Sequence, residues 1–194
     1  KFIDGELAKV GWIETGFDTS ITVDGKEAPS PTHKVDCYKD KVALEVEWNN
    51  KDPFFDRDLE NFQRLHAQSA ISLGIIVTRG AALQAAMPRL VEGVLRAEGI
   101  GDAGTLEAWG MKERTARQRA MIDAALAGGA DFPRAFARSF VADKYGQATT
   151  HWEKLATRVA RGVGNPCPLL LLGLPLGAVT DARPDDGAAE DRLL

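Results

Sequence analysis

The sequence has 194 residues, 44% hydrophobic and 27% charged, which bounds it to about one ordinary globular domain and excludes a disordered or fibrous chain. Its net charge of -4 argues against binding a polyanion through bulk charge; residues 181–194 hold -3 of it and the remainder is near neutral at -1. No apolar run approaches membrane-spanning length: residues 168–176 are too few and are broken by Gly173 and Pro175, so no membrane partner is expected.

Residues 1–34 are weakly patterned, with turn signals at Asp24-Gly25 and Pro29-Ser30-Pro31. Residues 35–38 read as a short strand, followed by a charged turn at Lys39-Asp40-Lys41. Residues 42–48 alternate, with Val42, Leu44, Val46 and Trp48 on a face taken as buried and Ala43, Glu45 and Glu47 on the other. The two segments form a predicted β-hairpin. After a loop at 49–53, Asp56 or Asp58 offers an N-cap, and Leu59, Phe62 and Leu65 have helical spacing. Residues 73–78 form a continuous apolar strand, and strand, helix, strand predicts a crossover with parallel pairing. Residues 81–97 are predicted helical, 105–127 give one or two helices, and 136–145 another. Residues 151–161 form an amphipathic helix with Trp152, Leu155 and Val159 inward, and 169–172 a last buried strand. The expected fold is α/β, a central mixed β-sheet flanked by helices on both faces. It occupies residues 1–177 and is followed by a small, acidic, disordered tail at 178–194.

Two cysteines, Cys37 and Cys167, lie far apart and lack CxxC spacing, which predicts reduced thiols in a cytoplasmic protein rather than a zinc site. The chain opens on Lys1 instead of methionine, so a portion of a longer protein is one reading.

The chemistry concentrates in the hairpin. Period-two geometry puts Glu45 and Glu47 on one face, and tight pairing brings Asp36 opposite Glu45. Three carboxylates in a small volume repel one another unless a divalent cation neutralises them. Oxygen ligands from Asp36, Glu45 and the Val46 carbonyl suit Mg²⁺, with Mn²⁺ able to substitute. Glu47 is then placed to orient or deprotonate a water for attack on a phosphate. Alternation alone leaves a second reading open, in which the two glutamates sit on a solvated strand face.

Further residues narrow the choice. The run Thr32-His33-Lys34-Val35-Asp36, then Glu45-Val46-Glu47-Trp48-Asn49-Asn50-Lys51-Asp52-Pro53-Phe54-Phe55-Asp56-Arg57-Asp58-Leu59, resembles the BglII/BstYI family of type II restriction endonucleases, within the PD-(D/E)xK nuclease superfamily. Gly74-Ile75-Ile76-Val77-Thr78-Arg79 forms a second matching block. Tyr145-Gly146-Gln147-Ala148-Thr149-Thr150-His151, with Lys154-Leu155 and a close at Cys167-Pro168, forms a third. The resemblance covers roughly residues 32 to 173. It implies a restriction-endonuclease-like core, Mg²⁺-dependent hydrolysis of double-stranded DNA, a homodimer, and a palindromic site containing GATC, such as RGATCY. A structure-specific repair nuclease of the same fold and a non-cleaving DNA-binding relative are the alternatives. Two departures stand out: Val35 replaces the proline before Asp36, and Glu47 replaces the superfamily lysine, as in some active relatives. The N-terminal region is also short for the family.

The resemblance places Asn50, three residues beyond Glu47, at the base-reading surface. Asparagine can make two hydrogen bonds to adenine in the major groove, although it also favours turns. Asn49 is a weaker candidate and Lys51 a possible phosphate contact. Thr149, Thr150 and His151 are expected to contact bases or phosphates, with Thr150 also able to cap the following helix. His33 and Lys34 are expected to line the cleft. His66 and Trp48 read as structural, and the cluster Lys112, Arg114, Arg117, Arg119 as a solvated face that could meet phosphate.

Overall fold

The computed structural model describes residues 2–29 and 33–179. Ser30, Pro31, Thr32 and residues 180–194, which hold nearly all of the expected tail, lie outside the described residues. The described residues form two compact units, one within 2–81 with 148–174, the other 82–147 with 175–179.

The first unit is built on a five-stranded mixed sheet. Its strands are β1 (Ile13–Thr15), β4 (Val35–Lys39), β5 (Val42–Glu47), β6 (Leu73–Arg79) and β7 (Leu169–Leu174), in that spatial order. A separate two-stranded ribbon pairs β2 (Ser20–Val23) with β3 (Lys26–Pro29). Both hairpins close through two residues at positive φ, Asp24-Gly25 in the ribbon and Asp40-Lys41 between β4 and β5. Such turns match the right-handed twist of the strands they join. β1, β4 and β5 pair antiparallel, whereas β5–β6 and β6–β7 pair parallel. Parallel pairing needs a long crossover, and α2 (Phe54–Ala67) supplies the one between β5 and β6.

α2 buries Phe55, Leu59, Phe62 and Leu65 against Val35, Ala43 and Ile76, with Leu155 of α7 (Trp152–Ala160) in the same core. Each such side chain contributes about 1.5–3 kcal/mol by leaving water. Gly74 is what lets Phe62 lie on β6, since a Cβ there would sit 2.4 Å from its ring. The opposite sheet face packs Cys37, Leu44 and Val77 with Leu7 and Trp12. Leu7 comes from α1 (Phe2–Lys9), one of four elements in the stretch that sequence patterning left unassigned. Both cysteines are free and buried.

Two expectations are corrected here. α2 starts at Phe54, with Pro53 at its N-cap and no capping side chain, so neither Asp56 nor Asp58 caps it. On β5 the face carrying Ala43, Glu45 and Glu47 is fully buried, while Val42, Val46 and Trp48 are only half-buried. β5 is the central strand and has packing on both sides, so hydrophobic alternation misidentifies its inner face.

The second unit contains α3 (Ala81–Ala97), α4 (Ala103–Ala108), α5 (Ala116–Ala127) and α6 (Phe132–Lys144). α4 and α5 are closed by capping boxes from Asp102 and Thr115, which settles the 105–127 segment as two helices. Asp131 caps α6 through the Arg134 amide and starts it a turn before residue 136. In the basic cluster, Arg119 pairs with Glu113 at 2.5 Å and Arg114 donates to the Lys112 carbonyl.

Candidate active site

The β4–β5 ladder runs regularly from Lys39↔Val42 to Cys37↔Leu44. Beyond Cys37 carboxylates replace carbonyls. The Asp36 amide donates to Glu45 Oε2 at 3.3 Å, and the Val46 amide donates to Asp36 Oδ2 at 3.3 Å. The two acidic side chains face each other across adjacent strands, each carboxyl accepting from the backbone of the other's strand. Glu45 is 2% exposed. Burial, followed by the charges of Asp58 and Asp36, pushes its carboxyl up to about 10.

Glu47 keeps different company. It is equally buried, and burial followed by the charge of Asp58 pushes it up to about 8. The Asn50 side-chain amide donates to Glu47 Oε2 at 3.0 Å, and Arg57 Nη2 lies 3.8 Å from Oε1. The structure therefore brings Asp36 and Glu45 face to face and groups Glu47 with Asp58, Asn50 and Arg57.

Asp58 is the residue that sequence reasoning missed as a site group. It is 1% exposed, and its Oδ1 takes both Arg57 Nε at 2.8 Å and Arg57 Nη2 at 2.7 Å. Among the described residues its Oδ2 has no hydrogen-bond partner, and the Glu47 carboxyl interacts with the same side chain. Two buried carboxyls in that relation need a shared proton or a cation between them. The available signal was position: an aspartate at 58 falls on the apolar stripe of 55, 59, 62 and 65, where an acidic group requires a partner.

Among the described residues no set of three or more His, Cys, Asp or Glu side chains is arranged as a ready metal cage. The donor set around β5 still fits a hard divalent cation. Asp36 and Glu45 supply two carboxyl groups that face each other across adjacent strands, and the buried Asp58 adds an orphaned acceptor.

Beyond Glu47 the chain turns outward. Asn49 is half-buried, and Asn50 and Lys51 are exposed. Lys51 forms an antiparallel bridge with Thr149, flanked by bonds from the Thr150 amide to the Asn50 carbonyl at 2.8 Å and from the Asp52 amide to the Ala148 carbonyl at 3.0 Å. Thr149, Thr150 and His151 are buried in this arrangement and turn inward. Thr150 is not the cap of α7, since His151 occupies that position without a side-chain cap bond. Among the described residues the Thr150 hydroxyl and His151 Nε2 have no hydrogen-bond partner, and burial, followed by the charge of Arg79, lowers the imidazole pKa. His33 and Lys34 are exposed. The His33 carbonyl accepts from Asn61 at 3.1 Å, and Lys34 lies 3.4 Å from Glu14. His66 bonds the Ile71 carbonyl, and Trp48 is half-buried rather than core.

A central mixed sheet flanked by helices, with an acidic pair at the open end of a central hairpin, defines a restriction-endonuclease-like α/β nuclease fold. The family model for restriction endonuclease BglII/BglIII matches residues 1–174, and the chain belongs to that family. It is a type II site-specific deoxyribonuclease, a hydrolase of DNA. No curated protein and no solved structure matches the chain. Among the described residues no helix is long and apolar enough to cross a membrane.

Proposed function

We propose that this chain is the protomer of a Mg²⁺-dependent, homodimeric, cytoplasmic restriction endonuclease that cuts double-stranded DNA at a palindromic GATC-containing site, RGATCY-like, with Mn²⁺ able to substitute. The observation that carries the reading is the facing of Asp36 and Glu45 across β4 and β5, each carboxyl accepting from the other strand's backbone, in a chain of this family. Asp36, Glu45 and the Val46 carbonyl would hold the cation. When bound it would supply positive charge for the phosphate oxygens and lower the pKa of a water. Glu47 orients that water and takes its proton. Arg57 lies 3.8 Å from the Glu47 carboxylate and favours its charged form, whereas the buried Asp58 opposes it.

Asn50 reads a base, assisted by Asn49, while Lys51 meets a phosphate. The amide of Asn50 already touches Glu47, which supports coupling between reading and cutting. His33 and Lys34 flank the cleft at the entry to β4. Thr149, Thr150 and His151 complete the DNA-facing surface behind Lys51; their burial without DNA means that direct contact requires this segment to open. Two protomers related by a two-fold axis would each read one half-site, as a palindrome demands.

The test is digestion of a plasmid of known sequence with Mg²⁺, mapping of the ends, and sedimentation on a duplex carrying the mapped site. The reading requires cleavage at one GATC-containing palindrome and two protomers per duplex. Ends scattered without sequence preference, or a monomer on the cognate duplex, would sink it.

A further inference from the structure

The C-terminal end of β6 reaches across to the chain that leaves β5. Thr78 Oγ1 donates to the Glu47 carbonyl at 2.8 Å, and Arg79 Nη1 donates to the next carbonyl, that of Trp48. Nη2 of the same guanidinium donates to Thr149 Oγ1 at 2.9 Å and to the Thr150 carbonyl at 2.7 Å. Arg79 is 0% exposed, with its guanidinium 5.7 Å from the centre of the Trp48 ring. A buried guanidinium is costly unless its donors are taken up. Here they go to two chain segments that also bridge each other through Lys51 and Thr149. Asp52, next in the first segment, is tied to α7 by Lys154 at 3.5 Å and Arg158 at 3.4 Å.

None of these Arg79 bonds reaches the Asp36–Glu45 pair. They converge on the link between Glu47 and Asn50 and on the strand segment that backs it. A planar fork holds several acceptors in one fixed geometry, which a flexible ammonium does not. A displacement of about 1 Å at such a link can cost on the order of a hundredfold in rate.

We propose that Arg79 is a specificity-determining positioning residue: it locks residues 48–50 and 149–150 in one register on the catalytic sheet, so that base reading at Asn50 is coupled to the placement of Glu47. The inference rests on Asn50 as the base-reading residue. It assigns no contact between Arg79 and DNA.

Two variants test it, Arg79→Lys and the milder Thr149→Val, which removes one clamp bond and leaves the arginine in place. Hydrogen exchange is read at the Thr150 and Asp52 amides and along the β5–β6 ladder. Discrimination is read as the ratio of cleavage at the site mapped for the wild type to cleavage of the same duplex with one base pair changed. Exchange at Thr150 and Asp52 should rise at least tenfold while the ladder stays protected. The ratio should fall at least tenfold in Arg79→Lys, with its binding to a noncognate duplex unchanged, and by less in Thr149→Val. Arg79→Lys combined with Asn50→Ala should lose no more discrimination than Asn50→Ala alone. Unchanged exchange, or full discrimination in variants for which Asn50→Ala still lowers it, overturns the proposal. Should Arg79→Lys fail to fold, Thr149→Val decides alone by the same two readouts. If Asn50→Ala itself keeps full discrimination, the base-reading assignment fails, and the role of Arg79 falls with it.

Discussion

The segments Asn49–Lys51 and Thr149–His151 lie side by side, and both are short, polar and rich in hydrogen-bonding groups. Asn50 and Lys51 are exposed, and the Asn50 amide rests on Glu47. Thr149, Thr150 and His151 are buried, and the backbone and Thr149 hydroxyl of that segment are taken up by Arg79. The difference comes from the elements to which the two segments are joined. Asn49–Lys51 leaves a strand toward the open end of the sheet, whereas Thr149–His151 feeds directly into α7, whose Leu155 is fixed in the core. A polar side chain offered to solvent is available to DNA at little cost, but one turned inward must first give up its burial. The comparison predicts that changes in the outward segment act on cleavage directly, and changes in the inward one act through stability and through the register that Arg79 holds.

The largest expected effect lies at the carboxylates that both segments serve. Asp36→Ala should abolish cleavage and leave the protein folded and able to bind duplex DNA in Ca²⁺; cleavage and band-shift assays on the same preparation check it. Next comes Asn50→Ala, which should remove a base contact worth roughly 1–3 kcal/mol and lower cognate cleavage far more than nonspecific binding, which rests on phosphates. Equal losses in both assays would make Asn50 a turn residue and shift the reading surface to Thr149–His151.

The pH dependence stems from Glu45 and Glu47, raised to about 10 and about 8 from an ordinary 4.5. The folded protein holds protons that the unfolded chain releases above about pH 4.5. The associated stability is complete below that value and is lost as pH rises toward 8 and then 10. Cation-free protein should melt at a lower temperature at pH 9 than at pH 6, and Mg²⁺ should stabilise more at pH 9, where fewer protons compete. A melting temperature indifferent to pH in this range would contradict the buried carboxyl assignment.

The smallest effect sharpens the comparison most. Thr150→Val replaces a buried hydroxyl that has no partner with a group of the same shape, so stability should hold or rise by up to about 1 kcal/mol. Cleavage should persist if the hydroxyl stays inward. A loss of cleavage at unchanged stability would place Thr150 on the DNA.

The hairpin, the crossover and the later helices were legible because each rests on a local signal: the charged turn at Asp40-Lys41, the apolar run of β6, the amphipathic period of α7. The facing of Asp36 and Glu45 came from strand period and a tight turn. The N-terminal elements were not legible. Ile13, Ile21 and Val23 are exposed, so β1 and the β2–β3 ribbon leave no inward pattern to detect. Asp58 was hidden because an aspartate near a helix start reads as a cap, and only the fold shows it buried beside Glu47. The inward turn of Thr149–His151 was equally invisible, since its partner, Arg79, comes from a distant strand.

The most direct test of the central claim is a Mn²⁺ titration monitored by electron paramagnetic resonance, on the wild type, Asp36→Asn and Glu45→Gln, each also assayed for cleavage and duplex binding. The account predicts that the wild type takes up Mn²⁺ and cuts, and that both variants lose Mn²⁺ uptake and cleavage together while still binding duplex. Wild-type Mn²⁺ affinity and cleavage in either variant would contradict it, because the cation would then sit somewhere other than between Asp36 and Glu45.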